Sequence, residues 1–200
     1  MENYIVLDGV TYDLVKRENV KGNNAGKVRL ADIPVGETFK LGKHEFVVLE
    51  HSKETTAVIL EDLLNGSNRF GSSNNFDGSG VDKECQKFAD EIAGIVGTKN
   101  LVEHTVDLTS DDGLKDYGKV RRKMSLLTTE LYRRYVYILD KFKLDKWWWL
   151  ATAYSTKTHD NTTWGKCVSP SGDIYNGGSC GGINGVRPFC ILKSHIFVSK

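Results

Sequence analysis

Four cysteines, Cys85, Cys167, Cys180 and Cys190, are the residues of this sequence best suited to redox or metal chemistry. None forms a Cys-x-x-Cys pair, and no histidine stands at zinc-ligand spacing from a cysteine pair. Cys180 and Cys190 are the one pair from which a copper or redox centre can be imagined. Small, buried, apolar thiols are the competing reading. Asp107-Leu-Thr-Ser-Asp111-Asp112-Gly113 is acidic and ends in glycine, but it misses the alternate-position register and distal glutamate of a calcium loop. It reads as a capped turn. Five histidines permit a Ser/His/Asp triad on paper, yet no Gly-x-Ser-x-Gly elbow supports one. Phosphate-binding glycine loops of the two common nucleotide-binding types are also absent. No catalytic residue, cofactor or metal ligand is therefore assigned.

Two runs have the chemistry of contact rather than catalysis. Lys119-Val-Arg121-Arg122-Lys123 offers a basic contact to phosphate or to an acidic partner, with Asp111, Asp112 and Asp116 just upstream to offset it. Trp147-Trp148-Trp149 is the densest aromatic run. In a strand, Trp147 and Trp149 share one face and Trp148 takes the other. Burying such rings contributes several kcal/mol, on the order of 25 cal/mol per Å², so at least one face of the run is core and Trp147 and Trp149 are expected to be structural, with one ring of the run left for a ligand as the alternative.

These groups must be held by an ordinary globular frame. The 200 residues are 40% hydrophobic and 26% charged, with a net charge of +1. That balance excludes a disordered chain and argues against a nucleic-acid coat or membrane-surface binder; nucleic acid and membrane are not expected partners. Met1-Glu2-Asn3-Tyr4 lacks the start of an export signal, so reduced thiols and no disulfide are expected. Tyr4 to Leu14 reads as a hairpin turning at Asp8-Gly9. Lys16 to Lys27 is a polar stretch, so residues 1–30 are expected to form a hairpin and loop ahead of a main domain, 31–200.

In that domain, Thr38–Leu41, Glu45–Glu50 and Thr56–Leu60 form an antiparallel meander of β-branched and aromatic residues. Phe70 and Phe76 are lone aromatics in a Gly/Ser/Asn loop, suited to pinning it to the core. Val81, Cys85, Phe88, Ala89 and Ile92 fall at helical spacing, with Ser79 as N-cap and Gly94 as stop. A strand is expected over Leu101–Leu108. A second helix is expected over Thr129–Leu139, capped by Thr128, with Leu131, Tyr135, Ile138 and Leu139 on its apolar face. Residues 147–200 then change character. They hold all four tryptophans and only seven charged side chains, about half the charge density of the whole chain. Short strands are expected at Trp147–Thr152, Gly165–Val168, Ile174–Tyr175 and Val186–Leu192.

Trp148-Trp149-Leu150-Ala151-Thr152, Cys167-Val-Ser-Pro-Ser-Gly172 and Gly185-Val-Arg187-Pro-Phe189 together resemble the C-terminal signature of the DUF6273 family, found in bacteria, especially Firmicutes, and in phages. The resemblance covers roughly residues 31–195. It implies an α+β, C-type-lectin-like domain related to formylglycine-generating enzymes, with short antiparallel strands, two helices and long irregular loops. Ala151 stands where the family commonly has arginine. Neither the copper-binding cysteine pair of the enzymes nor the carboxylate motifs of sugar-binding lectins is recognisable, so the resemblance implies a fold more than an activity.

On such a fold, Arg187 is an internal strut donating to loop carbonyls. Loops 153–164 and 173–184 share one exposed face carrying Tyr154, Thr156, His159, Asn161, Trp164, Tyr175, Asn176 and Asn184, a composition suited to recognition. The expected function is a non-enzymatic module that binds a protein or a glycan, phage-encoded, cytoplasmic in a bacterial host or virion-associated. The alternatives are a phage-encoded inhibitor of a host defence nuclease acting through the basic cluster Lys119–Lys123 or through the aromatic face, and a copper oxidase using Cys180 and Cys190.

Overall fold

A computed structural model describes residues 4–7, 10–13, 26–64 and 68–200. Strands β1 (Tyr4–Leu7) and β2 (Val10–Asp13) pair antiparallel, with Leu7 opposite Val10. That register leaves a two-residue connection, as the Asp-Gly signal requires. The turn itself and the polar stretch that follows lie outside the described residues.

The main sheet gathers β3 (Lys27–Arg29), β4 (Thr38–Leu41), β5 (His44–His51) and β6 (Thr55–Leu60) from the first third of the chain. The isolated β7 (Asn68–Arg69) comes next, then β8 (Leu101–Val102), the β9–β10 ribbon (His104–Asp107, Lys119–Arg122) and β11 (Met124–Ser125). The C-terminal part supplies β12 (Trp148–Ala153), β13 (Trp164–Val168), β14 (Ile174–Ser179), β15 (Ile183–Asn184), β16 (Phe189–Lys193) and β17 (Phe197–Ser199). The sheet order is β11-β16-β6-β5-β4-β17-β3, with β8 also paired to β16. A smaller sheet, β12-β13-β14, stands apart; among the described residues the named strands pair antiparallel, and a single parallel bridge joins Trp148 to Gly185.

The central strands β5, β6 and β12 are covered on both faces, which explains their continuous apolar runs. Along β5, Phe46 and Val48 enter one core while Val47 and Leu49 enter the other. The helix α1 (Gly80–Val96) lays Val81, Cys85, Phe88, Ala89 and Ile92 on the first core. The helix α2 (Thr129–Leu139) lays Tyr132, Tyr135 and Leu139 on the second. Ser79 Oγ accepts from the Asp82 amide and Thr128 Oγ1 from the Leu131 amide, so both expected N-caps form. Phe70 and Phe76 are fully buried, and Phe70 meets the Trp149 ring edge-on. The architecture is α+β with short strands, two helices and irregular loops. No described helix is long and apolar enough to cross a membrane.

Several expectations shift. The helix α1 runs through Gly94 and stops at Gly97, whose φ of +85° is the left-handed geometry that favours glycine at a helix end. The expected strand 101–108 is two strands: β8 joins the main sheet and β9 turns away to pair with β10. The main sheet also reaches back across the 30/31 boundary, since β3 pairs with β17 and Leu30 is fully buried. On α2, Tyr132 takes a core position, whereas Leu131 and Ile138 are only half-buried.

His104, on β9, bonds Ser125 Oγ through Nε2 at 2.9 Å and meets Phe189 edge-on. Burial pushes its imidazole down to about 4; the Val102 backbone and the Glu103 carboxylate pull the other way without restoring it. Between pH 6.5 and about 4 the unfolded chain binds a proton that the native imidazole refuses, so acid destabilises the fold. Urea unfolding at pH 7 and pH 4.5 should show a loss of about 2–3 kcal/mol that His104→Gln removes. An equal loss in both proteins would show that His104 is not its source.

Candidate recognition surface

Three segments build the C-terminal end. The first is the loop 107–118, the second is 153–164, and the third is the hairpin β13–β14. Asn74, fully buried, is the hub between the first two. Its Nδ2 donates to the carbonyls of Ser155 at 3.0 Å and Trp164 at 2.9 Å, and its Oδ1 accepts from Tyr117 OH at 2.6 Å. Asp112 accepts from Ser110, Ser155 and His159, and Asp116 accepts from Thr156 and Thr158. These hydroxyl donors, Ser110 first for Asp112 and Thr156 first for Asp116, hold both carboxyls below the usual carboxylate range.

That network corrects the expected contact residues of loop 153–164. Thr156 is fully buried and bonded to Asp116. Asn161 Oδ1 accepts from the amides of Thr163 and Trp164, which shapes its own loop. His159 is exposed but bonded to Asp112 at 2.9 Å. These side chains hold the loop in place. Asn176 likewise accepts from Lys166, a buried ammonium that also pairs with Asp111 at 2.8 Å. Asn184 is half-buried on β15.

The basic run is corrected in the same way. Lys119 pairs with Asp107 at 2.8 Å and Arg121 with Glu103 at 2.6 Å. Arg122 forks onto Asp82 and also meets Asp77, so its guanidinium is held above its ordinary value chiefly by Asp82. Lys123 is half-buried. Lys119 and Arg121 pair within or beside the β9–β10 ribbon, and Arg122 ties that ribbon to α1.

Trp147 is the clearest correction. It precedes β12, is 39% exposed, and packs edge-to-face on Tyr175 at 5.2 Å. Trp148 and Trp149 are both buried, one in each core. The alternation therefore starts one residue later than expected. Main-chain bonds hold the Trp147 segment against 183–185: Gly185 N donates to Trp147 O at 2.7 Å, and Trp149 N to Gly185 O at 3.0 Å. Ile183, a lone apolar residue in a glycine-rich run and missed from sequence, is 62% exposed two residues before Gly185.

The register splits the remaining aromatics. Trp149, Cys167 and Tyr175 lie in one row across β12, β13 and β14, hence on one face. A Cβ on Gly165 would lie 3.4 Å from the Trp149 ring, so Gly165 points to that face too. Trp164 and Lys166, its neighbours, point to the other. Tyr154 pairs its amide with the Trp164 carbonyl. Trp164 and Tyr175 are both exposed, but on opposite faces of the small sheet.

Arg187 is a strut as expected, 1% exposed. Its Nε donates to Leu60 O at 3.0 Å and its Nη2 to Glu61 O at 2.7 Å, with the guanidinium 5.3 Å from the Trp148 ring centre. All four cysteines are buried, and burial pushes the Cys85 and Cys190 thiols well up, away from the reactive thiolate. No group of three His, Cys, Asp or Glu among the described residues is placed to hold a metal.

Comparison with protein-family models, with curated proteins and with solved structures finds no match to the chain.

Proposed function

We propose that the chain is a non-enzymatic binding module that recognises a protein through the surface formed by Trp147, Tyr175 and Ile183. One observation carries this reading. Trp147 and Tyr175 pack edge-to-face while 39% and 48% exposed, and Ile183, 62% exposed, lies two residues from Gly185, whose main chain bonds the Trp147 segment. Adjoining apolar exposure of that kind marks interaction sites, and tryptophan and tyrosine dominate them energetically. The support is rigid. Trp148 and Trp149 anchor the chain on both sides of the small sheet, so little conformational freedom is lost on contact. The nuclease-inhibitor alternative finds its basic run already paired with carboxylates, and the copper-oxidase alternative finds no exposed thiol among the four cysteines.

A photoreactive residue placed at Tyr175 or Ile183, and separately at the exposed Tyr137 on α2, tests this in a host lysate. The expected result is one common protein adduct from positions 175 and 183, absent from 137 and lost when Trp147→Ala is added. Equal adducts from 137, or adducts indifferent to Trp147→Ala, would contradict the reading.

A further inference from the structure

The far end of the main sheet carries a second surface. By strand order, β3 and β17 lie at the edge opposite β11. The register places Phe197 opposite Arg29, and Ser199 opposite both Lys27 and Lys40. These side chains share one face of the strands, while Val28, Val198 and Phe39 point to the core. This is the face α2 covers over β5 and β6; over β4, β17 and β3, Lys27, Arg29, Lys40 and Phe197 stand exposed.

Three hollows adjoin here and share walls. One of about 360 Å³ is lined by Lys27, Lys40 and Phe197 together with Ile95 and Val96 of α1, so it opens around the sheet edge toward the α1 side. The next, about 530 Å³, shares Lys27 and Phe197 and adds Arg29 and Lys200. The third, about 480 Å³, shares Arg29 and adds Lys53, Lys193 and His195. Six lysines and arginines line this groove against two carboxylates, Asp32 and Glu54, in a chain whose net charge is only +1. Lys193 pairs with Glu54 and Lys200 with Glu37. Among the described residues, Lys27, Arg29, Lys40 and Lys53 have no carboxylate at ion-pair distance, unlike the paired run 119–122. Phe197 lies at the centre, 44% exposed, with the Arg29 guanidinium 5.9 Å from its ring centre.

We propose that this groove binds single-stranded nucleic acid, with phosphates along the cations and a base stacked on Phe197. A line of unpaired cations tracks a polyanion, and an exposed ring in the line takes a base of any sequence. An acidic peptide would use the cations but have no base for the ring. The near-neutral composition argues against this class of partner only as an average. The positive charge is concentrated at one sheet edge and balanced elsewhere. This surface is separate from the Trp147 surface, and either can fail without the other.

Fluorescence anisotropy with a twelve-nucleotide oligo-dT, and with a twelve-residue polyglutamate as the rival probe, tests the proposal at 50 and 200 mM salt. About four phosphate contacts predict roughly a fiftyfold loss of oligo-dT affinity between the two. Lys27→Glu with Arg29→Glu should weaken binding at least about thirtyfold. Phe197→Leu, which keeps an apolar side chain and loses the ring, should weaken it about tenfold at both salt concentrations. Arg121→Ala should change nothing. Absent oligo-dT binding at 50 mM salt, tighter binding of polyglutamate, or indifference to Phe197→Leu would each overturn the proposal.

Discussion

Replacing Arg187 with alanine is expected to destabilise the chain by about 3–5 kcal/mol and lower its melting temperature by roughly 10 °C or more. The carbonyls of Leu60 and Glu61 lose the guanidinium donors that reach them, and the Trp148 ring loses the cation beside it. Arg187→Lys should recover only part of the loss, because an ammonium cannot present two donors in the fixed fork that reaches consecutive carbonyls. Burial already holds the guanidinium down at about 10, a sign of how far it is removed from solvent. Thermal melts of the three proteins decide the matter. An alanine variant that melts with the parent would remove Arg187 from the frame that supports Trp147 and Gly185.

The second large effect falls on Asn74. Asn74→Leu keeps the volume and removes every side-chain bond that joins the loops 107–118 and 153–164 at this point. The Ser155 carbonyl and the Tyr117 hydroxyl lose their Asn74 partner, and the Trp164 carbonyl keeps only the Tyr154 amide. A cost of about 3 kcal/mol is expected. Its location is the sharper test. Amide exchange should accelerate across 153–164 and 109–118 while β5 and β6 keep their protection. Acceleration spread evenly over the chain, or none, would show that the loops are held by something else.

The frame was legible in the sequence where local chemistry and tertiary packing agree. The bounds of β4 and of α2 follow from β-branched alternation and from Thr128 ahead of a 3.6-residue pattern. Arg187 was legible because an arginine between a glycine-rich loop and an apolar strand has only backbone to bond. Trp147 was not, because alternation says which residues share a face but not where a strand begins. Its carbonyl is taken by Gly185, which sequence spacing alone does not bring near. The ion pairs of Arg122 were hidden for the same reason: Asp82 lies forty residues upstream, on another element. Loop 153–164 carried the composition of a recognition loop, yet the same hydroxyls and amides serve equally well to fasten a loop to its neighbours. The cationic groove was invisible because its lysines come from residues 27–53 and 193–200, joined only when β3 pairs with β17.

The recognition surface is tested most directly by two alanine variants measured side by side against the partner cross-linked from Tyr175. Trp147 and Trp164 have similar exposure, 39% and 46%, but lie at separate places, one packed on Tyr175 and the other on the opposite face. Calorimetric titration should give at least about a thirtyfold loss of affinity for Trp147→Ala, the effect of truncating a central aromatic anchor. It should give less than about a threefold change for Trp164→Ala. The reverse order, with Trp164→Ala abolishing binding and Trp147→Ala silent, would move the site to the other face of the small sheet and contradict the account.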